Sequence, residues 1–181
     1  MRQLLRWTFS QRQRSRLVFC IAFFIIRHNR RKILHFNVTR NPNAFWVGQQ
    51  MREAWPYAPA HKFLLFDRDP KFGTDMISAV KDLGSQPIRA AFRGPWQNVV
   101  AERWVASCRR DLLDHVIVLN EQHLKRLMSE YVHYHHEDRT HLGRAKDTPT
   151  GRPLAICPAV ESKIHSFPRL GGLHHRYAVA A

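Results

Sequence analysis

The chain has 181 residues, 44% of them hydrophobic, which suits one globular domain with a sizeable core. Lysine and arginine total 29 against 14 aspartates and glutamates, a formal net charge of +15 that favours a polyanionic partner, nucleic acid first, over a merely solvated basic surface. Three cysteines, Cys20, Cys108 and Cys157, stand far apart without a Cys-x-x-Cys pair, which excludes a disulfide framework or a zinc ribbon and points to a reducing cytoplasm.

Residues 1–16 are basic, with Arg2, Arg6, Arg12, Arg14 and Arg16 and no clean period, and are expected to be irregular. The apolar run Leu17–Ile26 follows. A basic start before an apolar run imitates a signal peptide, but residues 27–32 offer no small-residue cleavage site. The run is also too short to span a bilayer as a helix. Its β-branched and aromatic content predicts a central strand buried on both faces. Residues 27–31 then form a turn, and 32–39 the returning strand of a hairpin.

Asn41-Pro42 reads as a helix start, with Asn41 as cap and Pro42 in the first turn. Val47, Met51, Ala54 and Trp55 mark one helical face, and residues 56–59, bounded by prolines, end it. A short buried strand, 61–66, leads into Asp67-Arg68-Asp69-Pro70. A helix is expected from Thr74, carrying Met76, Ile77, Val80 and Leu83, with Gly84 at its left-handed terminus. Residues 86–91 suit an edge strand.

Gly94-Pro95-Trp96-Gln97-Asn98 is a turn-rich loop that opens the next helix. Val100, Trp104, Cys108 and Leu112 recur every fourth residue and form its apolar stripe. Glu102 lies about 200° around from Val100, on the opposite face and near Arg109, where it can meet a metal ion or DNA. Cys20 and Cys108 fall in apolar patterns and pack as small hydrophobes. Asn120 caps a further helix whose buried face holds Leu124, Leu127, Met128, Tyr131 and Tyr134. His133, His135, His136 and His141 follow, and read as a polar helix end rather than a zinc site. The tail, 147–181, is rich in proline and glycine and is expected to be irregular.

Asp67 at a strand end and Glu102 on a helix folding back beside it are the candidate catalytic and metal-holding pair. Carboxylates so placed can hold divalent cations over a phosphodiester. Asp69, two residues on, could compete for the role, and either aspartate could instead cap the turn at Pro70. Asp67 with Phe72, the Pro-Trp-Gln-Asn loop, and Glu102 four residues after Asn98 resemble the retroviral-type integrase core of DDE transposases. Asp67 and Glu102 are 35 positions apart, similar to the spacing of the family's last two acidic residues. Gly171-Gly172-Leu173-His174-His175-Arg176-Tyr177 also looks family-like.

The resemblance implies a ribonuclease-H-like α/β fold: a mixed sheet with its first three strands antiparallel, flanked by helices. Residues 17–146 would form the integrase core, behind a disrupted first strand in 1–16. It implies Mg²⁺ or Mn²⁺ as cofactor and DNA integration or transposition by phosphoryl transfer. Arg93, Trp96, Asn98, Arg103 and Arg109 form the expected DNA-binding set, Arg93 by phosphate contact and Trp96 by stacking. Trp96 serves equally well as an anchor for its loop. Expected partners are DNA and a second copy or intact transposase subunits, with no membrane, in a bacterial cytoplasm at the nucleoid.

One departure decides the expected activity. The family's first aspartate falls near Thr8, yet no acidic residue precedes Glu53. Two divalent ions about 4 Å apart repel by about 17 kcal/mol at an effective dielectric of 20, which a neutral threonine oxygen does not offset. The expectation is a defective polynucleotidyl transferase core; the alternative is a non-catalytic basic DNA-binding or assembly module.

Overall fold

The computed structural model describes residues 2–12, 17–57, 62–66, 74–91, 95–141, 146–152 and 163–179, and for 2–12, 17–19, 74–75 and 95–96 the backbone alone. Five strands form one mixed sheet: β1 (Arg2–Arg12), β2 (Leu17–Arg27), β3 (Ile33–Thr39), β4 (Phe63–Phe66) and β5 (Gln86–Arg89). Their order is β3-β2-β1-β4-β5. The pairs β1–β2 and β2–β3 are antiparallel, whereas β1–β4 and β4–β5 are parallel. Helices α1 (Ala44–Ala54), α2 (Thr74–Asp82), α3 (Val99–Asp111) and α4 (Glu121–Glu137) cover the sheet.

Strand β2 divides the core in two. Successive side chains of a strand point to opposite faces. Cys20, Ala22, Phe24 and Ile26 accordingly join Trp104, Cys108, Leu124, Met128 and Tyr131 of α3 and α4. Phe23 and Ile25 join Val47 and Met51 of α1, Leu64 and Phe66 of β4, and Met76 and Val80 of α2. Helices on both faces explain why β2 has no polar alternation. Cys20 and Cys108 are both fully buried, and burial pushes both thiols above their usual range.

The helix signals hold with one shift. Asn43, not Asn41, caps α1, its side chain accepting from the Trp46 N–H. An N-cap side chain must reach the amide of N2 or N3, and Asn43 sits one residue before the helix whereas Asn41 does not. Asn120 caps α4 by accepting from the His123 N–H, and Gly84 ends α2 with φ of 72°.

Two segments expected to be irregular are ordered. Residues 2–12 form β1, paired along its whole length with β2 and at its start with β4. A ladder is made by backbone N–H and C=O groups, which an arginine supplies as well as a valine, and without β1 the apolar β2 would be a bare edge. In the tail, β6 (Ile164–Arg169) and β7 (His174–Val179) pair as an antiparallel hairpin. Its turn bends through Leu170, Gly171 and Gly172, at φ of 51°, 65° and 94°. The two glycines take that conformation without cost, and Leu170 is held there by burial against α4. Pro168 is tolerated because β6 has a single partner, β7.

The tip of the β2–β3 hairpin is fastened to α4 and the loop beyond it. The Ile33 N–H donates to His136 Nε2 at 2.8 Å, and His135 Nε2 donates to the Arg31 carbonyl at 3.1 Å. Arg30 Nε donates to the Pro149 carbonyl at 2.9 Å and pairs with Asp147 at 3.3 Å. The β6–β7 hairpin is fastened through Asp138, whose carboxylate meets Arg169, Arg152 and Arg176.

Candidate active site

The parallel pair β1–β4 sets the frame of the site. Leu4 of β1 stands opposite Phe66, the last residue of β4. The chain then passes to Asp67, which lies outside the described residues, as do Asp69, Phe72 and Arg93. Beyond Leu4, β1 continues as Leu5-Arg6-Trp7-Thr8, and its whole sequence holds no carboxylate.

Glu102 occupies the first turn of α3 and is exposed, on the face away from the buried Trp104 and Cys108. A carboxylate in a first turn is favoured by the helix dipole. A 3-10 turn over Pro95–Asn98 precedes the helix, with the side chain of Trp96 outside the description. Gln97 Oε1 accepts from the Ala91 N–H at 2.6 Å and ties this turn to the end of β5, a role the sequence did not signal.

The DNA-facing candidates separate. Asn98 is 3% exposed, and neither its Nδ2 nor its Oδ1 has a hydrogen-bond partner among the described residues. Its amide is thus turned into the protein. Arg109 is exposed and lies 3.6 Å from Asp114. Arg103 is exposed on the side of α3 that faces the end of α4, where it shares a cavity with Arg31, Arg110 and Arg139. Sequence reasoning missed these three because they come from separate elements.

The histidines serve the fold. Burial pushes His135 down to about 3 and His136 down to about 4, the latter helped by the positive charge of Lys32. A neutral His136 ring is what its accepting Nε2 requires. Among the described residues no three His, Cys, Asp or Glu side chains gather into a group that could hold a metal ion. With no carboxylate on β1, the donor set does not fit a site that shares two divalent ions among three acidic residues. No described helix is long and apolar enough to cross a membrane.

No protein-family model and no curated protein sequence matches the chain. Solved structures do. The chain is similar to the catalytic core domain of BIV integrase, with a TM-score of 0.56 and 17% identity over 82% of this chain and 90% of that one. It is also similar to a chain in the cryo-EM structure of a simian T-cell lymphotropic virus intasome in complex with PP2A regulatory subunit B56 gamma. There the TM-score is 0.60 and the identity 11%, over 99% of this chain and 66% of that one, just under two thirds of its length. At such identities the likeness concerns architecture, and on that ground the chain has an integrase-core-like fold.

Proposed function

We infer that the chain is a DNA-binding core of the DDE integrase and transposase family, ribonuclease-H-like in descent, that does not itself carry out strand transfer. The strand order, the likeness to the integrase core and the placement of Glu102 at the head of α3 support the descent. The observation that carries the loss of transfer is the central strand β1, which runs beside β4 without an acidic residue. Transfer in such cores needs metal ions that hold both the attacking and the leaving oxygen. Asp67 and Glu102 are the candidate carboxylates for that role, with Asp69 in competition for the place of Asp67. The charge of +15 supports DNA as the partner, bound mainly through its phosphates. The same two features favour a second reading, a basic assembly module that pairs with its own copies or with intact transposase subunits.

The test is strand transfer on a labelled duplex with Mg²⁺ or Mn²⁺, alongside Glu102→Gln. No joined or nicked product is expected from the unaltered chain, while DNA binding followed by fluorescence anisotropy persists in chelator. Product from the unaltered chain that Glu102→Gln abolishes would overturn the inference and make Asp69 the next candidate ligand. Copies that co-sediment and bind no DNA would favour the assembly module.

A further inference from the structure

Between the end of α4 and strand β7 of the tail hairpin lies a cleft of about 480 Å³. Among the described residues, two carboxylates line it, Asp111 and Asp138, and three arginines, Arg139, Arg152 and Arg176. Arg139 is committed to Asp111 at 2.7 Å. Asp138 is committed to a fourth arginine, its Oδ2 accepting from Arg169 Nε. Each carboxylate thus has its hydrogen-bonded guanidinium already, and the charges of Arg152 and Arg176 are in excess.

These two guanidinium groups are held in place and keep their donors. Arg176 Nη1 lies 3.5 Å and Arg152 Nη1 3.8 Å from Asp138 Oδ1, both beyond hydrogen-bond length, and Oδ1 has no hydrogen-bond partner among the described residues. Neither guanidinium donates a hydrogen bond to any described residue. The two Nη1 atoms are no farther apart than those two distances together. Their side chains are 33% and 39% open to solvent, so a ligand can reach them. Like charges held this close repel, and an anion seated between them relieves that repulsion.

The two arginines reach the cleft from different segments, Arg152 from the loop beyond α4 and Arg176 from β7. A carboxylate presents two oxygens in one plane and suits a single guanidinium fork. The oxygens of a phosphate group are set tetrahedrally, so two guanidiniums arriving from different directions each find one. We propose that this cleft binds a phosphate group between Arg152 and Arg176, with Asp138 beneath them holding the pair in position. The phosphate is free phosphate or a phosphodiester of the DNA backbone. The second source rests on the nucleic-acid reading above; the site itself does not.

The test follows the backbone amides of Thr140 and Tyr177, which line the cleft, in the full ¹⁵N-labelled chain. Titration with inorganic phosphate, at ionic strength held constant with chloride, is expected to move both resonances saturably. Arg152→Gln and Arg176→Gln should each weaken the effect at least about tenfold, or about 1.4 kcal/mol. Arg126→Gln, at an exposed position of α4, should stay within about twofold of the parent. Should Arg176→Gln unseat the hairpin, Arg152→Gln carries the test, since it alters the longer contact; its hairpin amides should overlay those of the parent before phosphate is added. Acetate at the same concentrations should produce no saturable shift, and a response equal to that of phosphate overturns the ligand class. Amides that phosphate leaves still, or equal weakening by Arg152→Gln and Arg126→Gln, overturn the site altogether. A short duplex with 5′-hydroxyl ends, which carries phosphodiesters alone, then competes with phosphate. Displacement assigns the DNA backbone, and its absence assigns free phosphate. Loss of all DNA binding with the phosphate response intact would refute the nucleic-acid reading alone.

Discussion

Replacing Asp138 with asparagine tests whether one carboxylate bolts the β6–β7 hairpin to the core. The Asp138 side chain is only 2% exposed, against 29% for Arg169, 33% for Arg152 and 39% for Arg176. Oδ2 accepts from Arg169 Nε. Oδ1 has no hydrogen-bond partner among the described residues and lies 3.5 Å from Arg176 and 3.8 Å from Arg152. Removing one partner of a buried ion pair costs about 3–5 kcal/mol, because the charge left behind is stranded. Here the stranded charges are arginines about a third exposed, which can rehydrate, and asparagine keeps one acceptor. The expected loss is therefore lower, about 2–3 kcal/mol. For a chain of this size each kcal/mol moves the melting temperature by about 2–4 °C, so a fall of about 4–12 °C is expected. Circular dichroism on heating measures it, and Arg152→Gln, at the longest of the three contacts, should cost under about 1 kcal/mol. A fall below about 2 °C, or an Arg152→Gln loss as large as that of Asp138→Asn, would refute the reasoning.

Phe24→Ala removes a ring that is fully buried and centred 4.2 Å from that of Trp104, and should cost about 3–5 kcal/mol in urea denaturation. Stability should also fall on mild acidification. His135 titrates near 3 when folded and near 6.5 when unfolded, so the unfolded chain takes up the proton first. The stability this ring contributes is complete above about pH 6.5 and is lost as pH falls toward about 3, by up to about 1.4 kcal/mol per pH unit. His136 adds to the slope down to about 4, and His135→Gln should flatten urea midpoints measured at pH 7, 6 and 5. DNA affinity should drop at least about 100-fold between 50 and 200 mM salt and vary little with sequence, as phosphate-dominated binding does. A flat salt response in anisotropy would contradict that.

What could be read from the residues depended on whether side chains or the backbone decided the outcome. The apolar run of β2 and the four-residue stripe of α3 are side-chain patterns, and both elements stand where those patterns put them. The exposed position of Glu102 follows from the same stripe. Strand β1 was not legible because its arginines argue against burial, whereas its place in the sheet is held by backbone pairing on both sides. The tail hairpin was hidden for a related reason: its prolines and glycines read as an irregular segment, yet Gly171 and Gly172 are the residues a tight left-handed turn demands. Asn98 looked like a loop residue available to DNA, and its burial depends on how the 3-10 turn seats against the core. The cavity arginines come from the β2–β3 turn, α3 and the segment just past α4, and no local spacing announces a cluster that only the fold assembles.

The clamp on the β2–β3 tip bears on how the sheet keeps its alignment. In most strands a slip of one residue throws apolar side chains into water, and that penalty polices the pairing. Strand β2 lacks this safeguard, since residues 20–26 are buried whichever way each one points. A slipped β2 would still be greasy on both sides. What such a slip cannot preserve is the set of bonds at its end, from Ile33 to His136, from His135 to Arg31 and from Arg30 to Pro149. The tip thus works as an index pin for the whole sheet, a few polar atoms at one corner choosing among alignments that the oily interior would accept with near indifference.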